Sequence, residues 1–167
     1  MRGPFKGKRG SVEARLADIE ADAVRRIAVE LKGGLDEPDE DMRRLFPPGY
    51  SDDAERSAEF ERLTRDDLLQ HKRDAVSTVI SSIDDGARKK GMWHATLDDG
   101  TARAWLGVLN DARLVLGTRI DVTENTEHAP LAHDDPRAPA HNLYLYLTGL
   151  ESSLIDALFD AGDLSRG

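Results

Sequence analysis

The segment that most constrains this chain spans residues 104–120, AWLGVLNDARLVLGTRI. Trp105, Leu109, Ala112, Leu116 and Ile120 recur at helical spacing, so one apolar stripe runs along a single helix. Arg113 falls beside that stripe, where a cation needs a nearby partner to offset the loss of hydration; Asp74 and Glu151 are its candidate carboxylates. The segment therefore predicts a central helix enclosed by other elements. It speaks for an architecture, not for a reaction.

The chain has 167 residues, a length suited to one domain that buries a core without covalent staples. Hydrophobic residues make up 39%, charged residues 33% and aromatic residues only 5%, the balance of a polar-surfaced helical protein. A net charge of -9 disfavours indiscriminate attraction to nucleic acid or anionic lipid, but it leaves room for a local basic patch. There is no cysteine, which excludes disulfides, thiolate catalysis, cysteine zinc sites and thiol redox sensing. No apolar run approaches the roughly 20 residues of a membrane span. The basic N-terminus continues into Gly3, Pro4 and Gly7 instead of an apolar segment, so a secretory signal is not expected and a cytoplasmic location is.

Residues 1–10 carry Arg2, Lys6, Lys8 and Arg9 without an acidic residue, a candidate flexible basic arm. Two readings stand for residues 4–16. In one, Pro4 to Lys8 pairs with Ser11 to Leu16 as a hairpin around Arg9-Gly10; in the other the same residues begin a helix. A first helix is predicted from Asp18 to Leu31, with Ile19, Ala23, Ile27 and Leu31 on its buried face and Gly33-Gly34 as its stop. Residues 36–41 read as a solvated acidic loop, and residues 45–50 as a proline turn pinned by Leu45, Phe46 and Tyr50. Ser51 and Asp52 cap a helix to about Leu63; Thr64, with Asp67 three residues on, opens another that ends near Asp85-Gly86. Residues 92–96 form a short strand, and Asp98 caps the central helix. After a polar loop, a last helix starts between Pro136 and Ala140. Its stripe of Leu143, Tyr146, Leu147, Leu150, Leu154 and Leu158 is wide enough to suggest a homodimer through this helix. No internal repeat is visible.

Several residue groups carry candidate chemistry. Asn110, Asp111, Arg113 and Arg119 form the densest polar set on the central helix and read either as structural ties or as a site for a partner's carboxylate. His128, His133, Asp134, Asp135 and His141 supply metal-ligating atoms, but their spacing matches no metal signature, and Asp134 or Asp135 before Pro136 suits turn or cap chemistry. Ser152, Ser153, His141 and Asp156 hold the atoms of a nucleophile system without an elbow or oxyanion motif around them. The glycines form neither a phosphate loop nor a dinucleotide fingerprint. Arg88, Lys89 and Lys90 make a second basic cluster, which approaches Arg2, Lys6, Lys8 and Arg9 if the strand after it lies beside the hairpin. These seven residues are the nucleic-acid candidates, against the plainer reading of solvated charge. No catalytic, cofactor or metal residue is assigned.

Leu45-Phe46-Pro47, Glu59-Phe60, Leu63-Thr64, Asp67-Leu68, Trp105 with Leu109-Asn110-Asp111, Arg113-Leu114 and Leu116-Gly117-Thr118-Arg119, and Tyr146-Leu147-Thr148 with Leu150 resemble an actinobacterial family of oxidative-stress transcriptional regulators (AosR-like), formerly a domain of unknown function. The resemblance covers most of the chain from Leu45 to Leu158; Asn-Asp-x-Arg-Leu-x-Leu-Gly-Thr-Arg is its specific part. It implies a non-enzymatic helical regulator of the redox response, acting on promoter DNA, on a sigma factor or RNA polymerase, or on both. The chain departs from a thiol switch at one point: without cysteine it has no disulfide sensor of its own, which leaves methionine oxidation at Met42 or Met92 as the conceivable substitute. The alternative is an interaction adaptor that never touches DNA. The expected fold is mainly α, about five helices around the central one, with a small antiparallel sheet near the N-terminus.

Overall fold

Strict alternation of buried and exposed residues carries the N-terminus into a hairpin in the computed structural model, which describes residues 3–46, 54–123 and 130–166. Strands β1 (Phe5–Lys8) and β2 (Ser11–Ala17) pair antiparallel around Arg9-Gly10, with Gly10 at φ 74°. Within the expected arm, residues 5–8 form a strand with Phe5 and Gly7 buried, and Arg2 lies outside the described residues. A second hairpin joins β3 (Ala87–Lys89) to β4 (Met92–Asp98) around Lys90-Gly91. β2 and β4 pair along their full lengths, giving the sheet order β1-β2-β4-β3.

Where the sequence showed no internal repeat, the structure contains one. Each hairpin feeds directly into a helix: β2 into α1 (Asp18–Asp36) and β4 into α3 (Asp99–Arg119). Each of these is followed by a longer helix, α2 (Ala54–Asp85) and α4 (Ala138–Arg166). Lys8↔Ser11 in the first hairpin corresponds to Lys89↔Met92 in the second, so the registers coincide. In that alignment Lys8 matches Lys89, Gly10 Gly91, Ala14 Ala95, Leu16 Leu97, Asp18 Asp99 and Ala21 Ala102. Ala14 and Ala95 are also directly opposite in the central strand pair, so an internal two-fold axis passes between them.

The helices differ from expectation in number and phase. Among the described residues there are four α-helices and one short 3-10 turn (Met42–Leu45), not five helices. α2 is continuous through Thr64, because Leu63, Thr64 and Arg65 are flanked by helix formers with no Gly or Pro to break it. α1 runs past Gly33-Gly34 because Leu35 is buried and Gly34 packs closely on Met42. Its buried face is Ala21, Val24, Ala28, Leu31 and Leu35, leaving Ile19 76% exposed. Small alanines let the helix approach its neighbours, and this close packing outweighed the larger isoleucines in setting the phase.

The central helix is enclosed as its stripe requires. It begins at Asp99, and Asp98 caps it by accepting from the Thr101 N–H at 2.7 Å. Trp105 stacks on Trp93 at 5.6 Å and meets Phe5 edge-on at 5.8 Å. Both indole N–H groups donate to the end of α2, Trp93 to the Ile83 carbonyl at 2.9 Å and Trp105 to Ser82 Oγ at 2.8 Å. On α4, Leu147, Leu150 and Leu154 are buried against the rest of the chain, so the wide stripe that suggested a dimer is largely covered from within; Ile155 and Phe159 stay exposed. Pro47, Pro48 and Tyr50 of the expected proline turn lie outside the described residues.

Candidate interaction surface

The polar set on α3 is shared out among three neighbours instead of forming one site. Lys72 Nζ of α2 donates to Asp111 Oδ2 at 2.7 Å, with both side chains mostly buried. Arg113 turns to α4, where its Nε lies 3.1 Å from Glu151 Oε2, one of its two candidate partners in the sequence; its Nη2 also donates to Asn110 Oδ1 at 3.2 Å. Arg119 reaches the acidic loop, donating to Asp39 and Asp41 at 3.3 Å each. Burial pushes the Asp111 carboxyl above its usual range against the pull of Lys72, and pushes Glu151 up against the pull of Arg113. These groups tie α3 to α2, to α4 and to the loop after α1.

The other clusters are likewise scattered. Asp135 Oδ1 accepts from the Arg137 N–H at 2.8 Å and its carboxylate pairs with the guanidinium, which is turn chemistry ahead of α4. His141 is buried beside Tyr144, and His128 lies outside the described residues. No group of three or more His, Cys, Asp or Glu that could hold a metal ion converges among the described residues. His141 and Ser152 sit eleven positions apart on one helix, roughly 16 Å along its axis, too far for a nucleophile and its base.

What remains open is the outer face of the sheet. Phe5, Gly7, Val12, Ala14, Leu16, Trp93 and Leu97 point to the core, so the opposite face presents Lys6, Lys8, Glu13, Arg15, His94 and Thr96. Lys89, exposed at the edge, is paired with Met92 on that face. A cleft of about 1050 Å³ opens there, lined by Lys6, Glu13, Arg15, His94 and Thr96 and reaching Tyr146, Gly149 and Leu150 of α4. At its rim Glu20 accepts from the Ala17 N–H at 2.8 Å and from the Tyr146 hydroxyl at 3.0 Å, and burial with this bond holds the phenol above its usual pKa. An ion pair on the face, Lys8 with Glu13 at 3.7 Å, is exposed and weak.

The two basic clusters do not approach each other. β4 does lie beside the hairpin, but it runs antiparallel to β2, so β1 and β3 form opposite edges and the turns at Lys8-Arg9-Gly10 and Lys89-Lys90-Gly91 occupy diagonal corners. Arg88 leaves the group: it pairs with Asp22 at 2.6 Å and Asp18 at 3.5 Å, tying β3 to α1. Sequence reasoning missed Arg15, which reaches the outer face only because β2 is a strand whose odd positions face outward.

A family described as a domain of unknown function (DUF2017) matches residues 1–158. The chain belongs to this family. The oxidative stress regulators AosR of Mycobacterium tuberculosis and Mycobacterium bovis are 26% identical to it over 162 residues, covering 87% of this chain and 71% of theirs. A putative oxidative stress regulator AosR of Mycobacterium leprae is 26% identical over 148 residues, covering 79% of this chain and 65% of its own length. No solved structure matches. Among the described residues of this DUF2017 chain, no helix is long and apolar enough to cross a membrane.

Proposed function

We propose that this DUF2017 protein regulates transcription in an oxidative-stress response without catalysing a reaction, by docking the open face of its sheet on DNA or on a sigma factor or RNA polymerase. The names of its mycobacterial relatives support the regulatory part. The observation that carries the docking part is the gathering of Lys6, Lys8, Arg15 and Lys89 on an uncovered sheet face of a chain whose net charge is -9. At physiological salt the Debye length is about 8 Å, so a contacting partner feels that face rather than the acidic remainder. With no cysteine, the chain has no thiol switch of its own.

The test is complementation of an actinobacterial strain lacking its own family member. Wild-type protein is expected to restore the oxidant-induced transcripts, whereas a Lys6→Glu, Arg15→Glu, Lys89→Glu variant present at equal level is not. Full restoration by that variant would overturn the proposal. The acidic balance favours a second reading, an adaptor that binds a basic protein and no DNA. A nuclease-resistant protein complex, insensitive to the same three substitutions, would support it.

A further inference from the structure

We propose that the two hairpin turns are two copies of one phosphate-backbone contact, so that a single chain grips double-stranded DNA at two places related by its internal axis. It rests on the reading of the sheet face as a docking surface and names the occupant of that face. Lys8, Arg9 and Gly10 in the first turn correspond to Lys89, Lys90 and Gly91 in the second. The axis through Ala14 and Ala95 exchanges one turn with the other. Of the residues that differ between the hairpins, the turn cation is kept in kind, with Arg9 answered by Lys90, while Lys6 and Arg15 on the face are answered by Ala87 and Thr96.

Backbone geometry adds an observation at the second turn alone, since Arg9 at the matching position of the first has no positive φ. Lys90 is held at φ 54°, in the left-handed region where Gly, Asn or Asp is the ordinary choice for a tight hairpin. A long cation persists there at a conformational cost, and no ion pair accounts for it among the described contacts of the hairpin. Such outliers cluster where a side chain has a task beyond the fold.

The occupant is set by symmetry and spacing. β2 is 7 residues long, and the turns lie at opposite ends of the β2 and β4 pair, displaced sideways by two strand spacings, so they stand roughly 25 Å apart. That distance spans about seven steps of a duplex at ~3.4 Å each. The two antiparallel backbones of a duplex are themselves related by two-fold axes perpendicular to its length, whatever the sequence. A surface with an internal two-fold axis therefore meets both strands in the same way; a single strand offers no such match. Lys6 and Arg15 lie between the corners, beside Glu13, Thr96 and His94.

The experiment is fluorescence anisotropy of a labelled 24-base-pair duplex titrated with the full chain from low to physiological salt. The variants are Lys8→Ala with Arg9→Ala, Lys89→Ala with Lys90→Ala, and all four together. Wild type is expected to bind at low salt with little sequence preference and to lose affinity steeply as salt rises. Each double variant is expected to weaken binding by a similar factor, on the order of tenfold, and to lower the salt slope by about 2. The quadruple variant loses measurable binding, and single-stranded DNA of equal length binds less tightly than duplex. Unchanged thermal melting keeps the comparison within folded protein. Absence of duplex binding at low salt, loss confined to one turn, or equal binding of single strands would overturn the inference. If the complementation test succeeds while duplex binding fails, a protein partner occupies the face and only this inference falls.

Discussion

At the scale of single residues, two substitutions separate fold from task. Lys90→Gly removes the left-handed strain and is expected to raise stability by about 1 kcal/mol in urea denaturation. The same change is expected to weaken the docking surface, so a variant more stable and less competent in complementation would mark Lys90 as a residue kept for contact. A loss of stability would show that the lysine has a structural role instead. Asp111 and Glu151 give a pH signature. Their folded pKa values are raised by burial, so each binds more protons folded than unfolded above the ordinary carboxylate value near ~4. Their contribution is full below that value and is lost as pH rises through the raised one. The Asp111→Asn, Glu151→Gln variant lacks this loss, and its stability relative to wild type is expected to improve between pH 4 and pH 7. A flat or opposite trend in denaturant midpoints would place the driving cause in Lys72 and Arg113 instead.

Among elements, β1 packs closely on α4. A Cβ at Gly7 would sit against the Ala157 carbonyl, and 2.7 Å from the Ala161 nitrogen and Asp160 Cβ, atoms of helix backbone and stem that have no room to yield. Gly7→Ala is therefore expected to cost roughly 1–3 kcal/mol, whereas Gly10→Ala meets no atom and suffers only from its positive φ. Comparable melting temperatures for the two variants would contradict this packing. Elements of this kind were unevenly legible in the sequence. The stripe from Trp105 to Ala112 and the Asp98 cap stood out because period and cap chemistry are local. The first hairpin was one of two open readings, settled by Phe5 and Gly7 being buried beneath it. The phase of α1 was hidden because Ala21 and Ala28 say little in sequence, and they matter only once a neighbour packs at close range. β3 was hidden too, since Arg88 and Lys89 read as a charge cluster until β4 supplied a partner strand.

For the whole molecule, the internal two-fold axis was the least legible feature, because apart from one short cationic turn the halves share register and scattered single residues. Its recognition reorganises the candidate site. Basic residues that looked like one merging patch become two separated corners of an open sheet, and the polar set on α3 becomes the fastening between layers. The account's central claim is that this face, and not α4, meets the transcription machinery or its DNA. Site-specific photo-crosslinking in cells under oxidant tests it most directly, with the photoreactive residue placed at Thr96 on the face or at Phe159, 71% exposed on α4. The expected result is covalent capture of DNA or of a polymerase-containing complex from Thr96 and little from Phe159; capture from Phe159 with none from Thr96 would contradict the account.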